Sequence, residues 1–310
     1  MNSKYEISTK ENREFLKASC EELLNFGHRF PSPNGGSYYL GDDGTPWKDR
    51  NRETWITCRM AHVYSLGLML GHEGSGELAD AALKGLKGEL HDEKNGGWYA
   101  GVTPEGDIVP NKQCYAHAFV ILAASSALTA GRPGAKELLE EALAVYDRHF
   151  WNEEEGLACD TWNTEFTVLD DYRGLNANMH TVEAFLAAGD VTGDKKYHIR
   201  AGRIIDHVIQ WAEDNSWRIP EHFTREWVAD LDCNRDRPDD PFKPYGATPG
   251  HGIEWARLIT QWTLANCGEE KEKLEIHLQA AENLYTTAIK DGWNADGAPG
   301  IVYTTDWNGK

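Results

Sequence analysis

Residues 248–255 place two groups suited to proton transfer at the start of a predicted helix. Thr248 is the predicted N-cap and Pro249 the first helical residue, because both residue types favour these positions. His251 then lies in the first turn, and Glu254, three residues later, lies on the same helical face. An imidazole beside a carboxylate is suited to general acid–base chemistry. The helix start favours a neutral His251, and Glu254 is expected to oppose that effect and to orient the ring.

Residues 176–183 repeat this arrangement. An asparagine-rich start is followed by His180 and, three residues later, by Glu183. The alternative is that both segments are capped helix starts whose histidine and glutamate face solvent. Neither segment contains His-Glu-x-x-His, so we expect no metal ion.

Composition excludes several classes of function. The 310 residues carry a formal net charge of −19, which argues against binding to nucleic acid or to an anionic membrane. No apolar run approaches the roughly 20 residues that cross a bilayer, and residues 1–15 lack the apolar core of a signal peptide. The six cysteines form no Cys-x-x-Cys pair, so neither zinc nor a disulfide framework is expected and a cytoplasmic location fits best. The 12 Trp and 12 Tyr residues are typical of a sugar-binding cleft, although most of them are expected in the core.

Helical periodicity dominates the sequence and predicts an all-α protein. The predicted helices cover residues 9–26, 53–71, 76–90, 113–130, 134–150, 178–191, 196–214, 250–266 and 270–290. Glycine-rich turns between helix pairs predict short β-hairpins. Apolar helices alternate with amphipathic ones, which favours an inner and an outer ring in one domain over residues 1–310.

Parallel inner helices would bring their N-terminal ends to one rim, where function is commonly located. The residues at these ends are polar, aromatic or basic, and they come from four separate stretches of the chain. They are Trp55, Arg59, Tyr115, His117, Asn176, His180, His251, Glu254 and Trp255.

Several motifs in the same order resemble the N-acylglucosamine 2-epimerase superfamily, and within it the aldose–ketose isomerases of mannose and sulfoquinovose. They are residues 53–60 (ETWITCRM), 112–117 (KQCYAH), 176–180 (NANMH), 221–223 (EHF) and 248–255 (TPGHGIEW). The resemblance extends from the first helix to Trp307. It implies an (α/α)6 barrel, a small sugar as substrate, and no metal or other cofactor.

The resemblance also implies roles for individual residues. His251 matches a catalytic histidine, Glu254 its nearby carboxylate, Arg59 the cation that faces the substrate oxygens, and His180 the histidine linked to ring opening. Trp55, Tyr115 and Asn176 match substrate-binding positions; His117, His222 and Trp255 are further candidates for binding the sugar. Members of the family continue beyond the position of Lys310 and carry a second catalytic histidine there. We therefore expect this chain to lack the last helices of the barrel, which leaves three alternatives: a fragment, a remainder supplied from elsewhere, or an inactive protein.

The chemistry that follows is interconversion of mannose, or a related hexose, and fructose through an enediol. We expect His251 to move the proton between C1 and C2, Arg59 to stabilise the enediolate, and His180 to assist ring opening. Sulfoquinovose isomerisation is an alternative that needs a cation for the sulfonate, for which Lys243, Arg218 and Arg225 are candidates. Sugar 2-epimerisation is a second alternative, because an enediol reprotonated on the other face of C2 gives the epimer.

Two alternatives from other classes remain. A glycosidase on the same barrel would need two carboxylates across a cleft, and Asp160, Asp170, Asp171 and Asp232 are available. A sugar-binding protein without catalytic activity is the other. The sequence gives no indication of the oligomeric state.

Overall fold

The computed structural model describes residues 5–310, and helices account for most of them. The helices are α1 (Lys10–Gly27), α2 (Thr54–Met69), α3 (Ser75–Leu86), α4 (Cys114–Thr129), α5 (Ala135–His149), α6 (Leu175–Thr192), α7 (Lys195–Asp214), α8 (Pro249–Asn266) and α9 (Lys271–Gly292). The strands, of two or three residues each, are β1 (Tyr39–Leu40), β2 (Pro46–Trp47), β3 (Arg52–Glu53), β4 (Gly101–Val102), β5 (Ile108–Val109), β6 (Asn111–Gln113), β7 (Trp151–Asn152), β8 (Leu157–Ala158), β9 (Thr161–Asn163), β10 (Arg173–Gly174) and β11 (His222–Phe223). Each predicted helix is confirmed, with ends that differ by a few residues.

The chain divides into two compact units, Met1–Val145 and Tyr146–Lys310. In the first, α2 packs against both α3 and α4. Thirteen of the sixteen residues of α4 are buried, because the helix is apolar on every side. The expectation of one domain over the whole chain stays a prediction.

Short antiparallel strands fix the start of α2 in the first unit. β3 pairs with β4, and β4 pairs with β5, so the residue before α2, Glu53, lies opposite Gly101. A buried ion pair holds the turn before this hairpin: Lys112 Nζ lies 2.8 Å from Asp92 Oδ2, and both side chains are fully buried. Lys112 also donates a hydrogen bond of 2.8 Å to the Gly96 carbonyl.

In the second unit, α6 packs on α7, α8 packs on α9, and α6 also contacts α8. The pairing of β10 with β11 sets Gly174, just before α6, opposite His222. α6 and α8 are the helices whose starts carry His180 and His251. The predicted N-cap Thr248 is the N-cap residue of α8, but its side chain forms no capping hydrogen bond.

Within residues 5–310, none of the helices has both the length and the apolar character needed to cross a bilayer.

Candidate active site

In the first unit, Arg59 lies among aromatic rings at the starts of α2 and α4. Its Nη2 donates a hydrogen bond of 3.2 Å to the Tyr115 hydroxyl. The guanidinium carbon lies 5.2 Å from the centre of the Trp55 ring and 4.7 Å from that of Phe119, which are cation–π distances. The structure therefore brings three predicted site residues, Trp55, Arg59 and Tyr115, into one cluster.

Glu53 supports this cluster through Trp55 and leaves the guanidinium of Arg59 unneutralised. It accepts hydrogen bonds from the indole N–H of Trp55 and, at 3.0 Å, from the Tyr39 hydroxyl. Burial, followed by the charge of Glu53, raises the pKa of Tyr39 well above its usual value, so Tyr39 remains a donor. The structural alternative to a catalytic Arg59 is an ion pair with Glu53. The carboxylate of Glu53 instead accepts hydrogen bonds from Tyr39 and Trp55, which argues against that alternative.

His117 has a structural position. Its side chain is fully buried, its Nε2 accepts a hydrogen bond of 3.1 Å from the Trp98 backbone N–H, and its Nδ1 lies 2.7 Å from the Gln113 carbonyl. Both ring nitrogens are therefore occupied by backbone groups. This geometry gives His117 a structural role in the core, and its binding of the sugar stays a prediction.

In the second unit, His251 pairs with a carboxylate from outside its own helix. Its Nδ1 lies 2.8 Å from Oε1 of Glu221, which is buried just before β11. With the carboxylate as acceptor, Nδ1 carries the proton, and the lone pair of a neutral ring lies on Nε2. No residue in the range 5–310 forms a hydrogen bond with Nε2. Nε2 of His251 is therefore the ring nitrogen that is positioned to accept a proton.

The pair with Glu221 also sets the protonation of His251. Burial lowers the pKa of His251, but the charge and the hydrogen bond of Glu221 outweigh it, so the pKa is raised above 6.5. Glu254, the partner expected from the sequence, makes a smaller contribution in the same direction. The expected effect of the helix start is overridden, and Glu221 rather than Glu254 orients the ring.

His180 and Glu254 lie together where α6 meets α8. Ligand atoms of His180, Glu183 and Glu254 all lie within 4.8 Å of one another. His180 Nδ1 lies 3.3 Å from Glu183 Oε2, and Arg257 donates a hydrogen bond of 2.9 Å to Glu183 Oε1. Burial raises the pKa of Glu183, but the hydrogen bonds and charges of His180 and Arg257 lower it to about 2. Arg257 therefore supplies a positive charge beside the two carboxylates of this trio.

Three further candidates differ in their exposure. Asn176 is half-buried at the start of α6 and keeps its place in the proposed site. His222 is buried, with Nδ1 2.7 Å from the Tyr172 hydroxyl and Nε2 2.8 Å from the Pro244 carbonyl. Trp255 is fully buried in α8. His222 and Trp255 are therefore both buried, and their contact with a sugar stays a prediction.

The three cations considered for a sulfonate have different surroundings. Arg218 donates a hydrogen bond of 2.8 Å to the buried Asp291, and the exposed Arg225 lies 3.6 Å from Asp171. Lys243 Nζ lies 3.4 Å from the centre of the Tyr172 ring, whose hydroxyl contacts His222. Of the three, Lys243 is the one that contacts Tyr172 and, through it, His222, the residue next to Glu221.

Comparison with known proteins identifies the family to which this chain belongs. A profile of the N-acylglucosamine 2-epimerase (GlcNAc 2-epimerase) family matches residues 35–310. The chain belongs to this family. It is similar to the D-mannose isomerase of Thermobifida fusca, with 40% identity over 96% of this chain and 72% of that protein. It is equally similar, at 40% identity over 98% of this chain and 73% of that protein, to the D-mannose isomerase of Pseudomonas cannabina pv. alisalensis.

A solved crystal structure of a D-mannose isomerase matches this N-acylglucosamine 2-epimerase family member with a TM-score of 0.87 and 28% identity, over 99% of this chain and 77% of that one. The expected all-α fold class, that of the (α/α)6 barrel, is thereby confirmed.

Glu221 is a candidate site residue to which the sequence motifs assigned no role. It was visible only as the first residue of Glu221-His222-Phe223, a motif shared with the family. Glu254 was preferred because it lies on the helix of His251, and helical spacing gives no information about a partner from another part of the chain.

Proposed function

We propose that this protein is a sugar isomerase that interconverts D-mannose and D-fructose by proton transfer through an enediol. The 40% identity to two D-mannose isomerases supports the substrate, and the pairing of His251 with Glu221 supports the chemistry. Such a reaction needs a base whose pKa is near the working pH and whose lone pair faces the substrate.

In the proposed mechanism, His180 assists opening of the sugar ring. Nε2 of His251 then removes the proton from C2 of the open-chain aldose, and the electron pair of the C–H bond forms the C1–C2 double bond of the enediolate. Return of the proton to C1 gives the ketose, and the accompanying proton moves from O2 to O1. Glu221 holds the ring and stabilises the imidazolium that forms during the transfer.

We propose that Arg59 stabilises the negative charge that develops on the enediolate oxygens. Its guanidinium is always protonated, and the rings of Trp55 and Phe119 hold it without neutralising it. Trp55, Tyr115 and Asn176 are the proposed binding residues, and Glu254 is proposed to act beside His251.

The surroundings of the acidic residues favour this reaction over glycoside hydrolysis. Asp171 and Asp232 are exposed and lie near surface arginines, 3.6 and 3.0 Å away respectively. Burial raises the pKa of Asp160 to about 6, and the charge of Asp170 adds to this rise, so Asp160 and Asp170 are the two carboxylates that a hydrolase would have to use.

Sulfoquinovose is a second candidate substrate, and the position of Lys243 favours it. An ammonium group that rests on the Tyr172 ring, rather than in a close ion pair, is able to meet a sulfonate. A Lys243→Met variant that loses activity on sulfoquinovose but keeps activity on mannose would identify this role.

A proton NMR time course in deuterated buffer tests the proposal, with mannose, glucose, fructose and sulfoquinovose as separate substrates. We expect mannose and fructose to interconvert with incorporation of deuterium at C2 of mannose. His251→Ala should abolish this exchange, whereas His207→Ala, a control on α7, should retain it. Exchange at the wild-type rate in His251→Ala would remove His251 from the role of base, and release of sugar from an aryl glycoside would favour a hydrolase. Binding of mannose without turnover would favour a sugar-binding protein.

A further inference from the structure

Arg257 joins two helices at the trio of His180, Glu183 and Glu254. It lies one turn after Glu254 on α8. Its Nη2 donates a hydrogen bond of 2.9 Å to Oε1 of Glu183 on α6, and the same nitrogen lies 3.7 Å from Oε1 of Glu254. One guanidinium group therefore contacts a carboxylate from each helix.

The two oxygens of Glu183 have different partners. Oε1 accepts the hydrogen bond from Arg257, and Oε2 lies 3.3 Å from Nδ1 of His180. A charge-assisted hydrogen bond to one oxygen of a carboxylate restricts the orientation of the other oxygen. The imidazole of His180 is consequently held in place through Glu183, and the His180 side chain is 7% exposed.

The trio requires a positive charge, and Arg257 provides one. Two carboxylates within 4.8 Å of each other repel unless a cation lies between or beside them. Arg257 is half-exposed, with 49% of its side-chain surface accessible, so its contribution to overall stability is small. Its effect is expected on the geometry of the trio more than on folding.

We propose that Arg257 is a positioning residue that holds His180 and Glu254 in their working orientation by linking the carboxylates of Glu183 and Glu254. The inference rests on the proposed function in one respect, namely that His180 and Glu254 act on the sugar. Arg257 itself touches no reacting atom.

Three variants test the kinetic part. Arg257→Met removes the charge and both contacts, and we expect kcat for mannose to fall roughly 10- to 100-fold, with a smaller change in KM, because displacement of catalytic groups costs rate more than binding. Arg257→Lys keeps the charge and should recover part of the loss. Gln261→Ala is the matched control, because Gln261 is exposed one turn further along α8 and accepts a 3.4 Å hydrogen bond from Arg257 Nη1. It should retain the wild-type kcat.

A second measurement does not depend on turnover. The carboxyl carbon of Glu183, followed by NMR as a function of pH in the free protein, should titrate near 2 in the wild type and at a higher pH in Arg257→Met. An unchanged titration in Arg257→Met would overturn the link to Glu183. A wild-type kcat in Arg257→Met would overturn the positioning role. If the wild-type protein converts no sugar at all, the proposed function fails and the titration alone decides whether Arg257 holds Glu183.

Discussion

Nδ1 of His251 lies 2.8 Å from Oε1 of Glu221, a residue thirty positions earlier in the chain. The histidine is partly exposed at the start of α8, and the glutamate is 4% exposed beside β11. A buried carboxylate that accepts from one ring nitrogen fixes the orientation of the imidazole and the location of its proton. This arrangement suits the role of general base that is proposed for His251, with Glu221 as the group that orients the ring.

Replacement of Glu221 by Gln should lower the pKa of His251. Glu221 provides the larger charge effect and the hydrogen bond that raise this pKa above 6.5, so in the variant burial is opposed mainly by the smaller contribution of Glu254. If His251 acts as the base, the acid limb of the kcat/KM profile should move to lower pH. The plateau should fall roughly 10- to 100-fold, since the carboxylate that stabilises the imidazolium is lost. Nitrogen NMR of His251 and a pH–rate profile check both effects.

Glu221→Gln should also change how the free energy of unfolding depends on pH. The pKa of His251 is raised in the folded state, so the pair stabilises the protein fully below pH 6.5, and this contribution is lost as pH rises through the folded pKa. Urea denaturation between pH 5 and about 9 should show this dependence in the wild type and not in Glu221→Gln. Glu226→Gln, an exposed neighbour on the same segment, serves as the control. If the acid limb of the kcat/KM profile does not move in Glu221→Gln, a group other than His251 determines that limb.

Arg59 should be more important for turnover than its partner Tyr115. Arg59→Met removes the charge proposed to stabilise the enediolate, and we expect kcat to fall about 10²- to 10³-fold. Tyr115→Phe removes only the 3.2 Å hydrogen bond that anchors the guanidinium, and its effect should be near tenfold or less. Arg50→Met is the control, because Arg50 also lies over aromatic rings, 4.3 Å from the Trp47 ring centre. Equal losses in Arg59→Met and Arg50→Met would point to aromatic packing instead of catalysis.

Loss of one partner of the Lys112–Asp92 pair should destabilise the protein strongly. Lys112→Met leaves the carboxylate of Asp92 buried without its cation, at a cost of about 3–5 kcal/mol in the free energy of unfolding. A double variant, Lys112→Met with Asp92→Asn, should lose less than the single one. Urea denaturation of the wild type, the two single variants and the double variant measures the difference, and a double variant as unstable as the sum of the two single ones would contradict it.

The pH dependence of this pair has the opposite sign to that of His251. Burial raises the pKa of Asp92, but hydrogen bonds from Lys112 and Asn95 outweigh it and hold the pKa well below 3.8. The pair therefore contributes stability above pH 3.8, and the contribution is lost as pH falls through the folded pKa. The single variant should consequently lose its difference from the wild type in strong acid.

The fold was predictable because its signal is local. Apolar spacing identified each helix, and the continuous apolar character of α4 indicated a helix buried on all sides. Glycines after charged helices marked the turns, and Thr248 with Pro249 gave the start of α8 to the residue. These patterns extend over a few turns and do not depend on contacts with distant parts of the chain.

The site was predictable only where its members lie on helix starts. His180 and Glu254 meet because α6 and α8 pack together, as expected. The surroundings of His117 and His222 could not be predicted, for a reason that the two residues share. Each histidine lies near a helix start or a strand, and the sequence does not show that backbone groups such as the Gln113 and Pro244 carbonyls occupy the ring nitrogens.

Thr248 has the residue type and the position of an N-cap, but it lacks the hydrogen bond of one. Its Oγ1 is buried and has no hydrogen-bond partner among residues 5–310, and the side chain forms no cap. By contrast, the N-cap of α7, Asp194, accepts a hydrogen bond from the Lys196 N–H at 3.0 Å. Replacing a working cap costs about 1 kcal/mol, so Asp194→Ala should destabilise the protein by that amount.

Thr248→Val keeps the shape of the side chain and removes an oxygen that no described residue bonds to. Burial of an unpaired hydroxyl is unfavourable, so this substitution should leave the free energy of unfolding unchanged or raise it. Urea denaturation of both variants against the wild type measures the contrast. Because Thr248 precedes His251 by three residues, deuterium exchange at C2 of mannose should also be followed, and we expect it to remain at the wild-type rate in Thr248→Val. If Thr248→Val lowers the free energy of unfolding as much as Asp194→Ala does, the Thr248 hydroxyl caps α8 in solution.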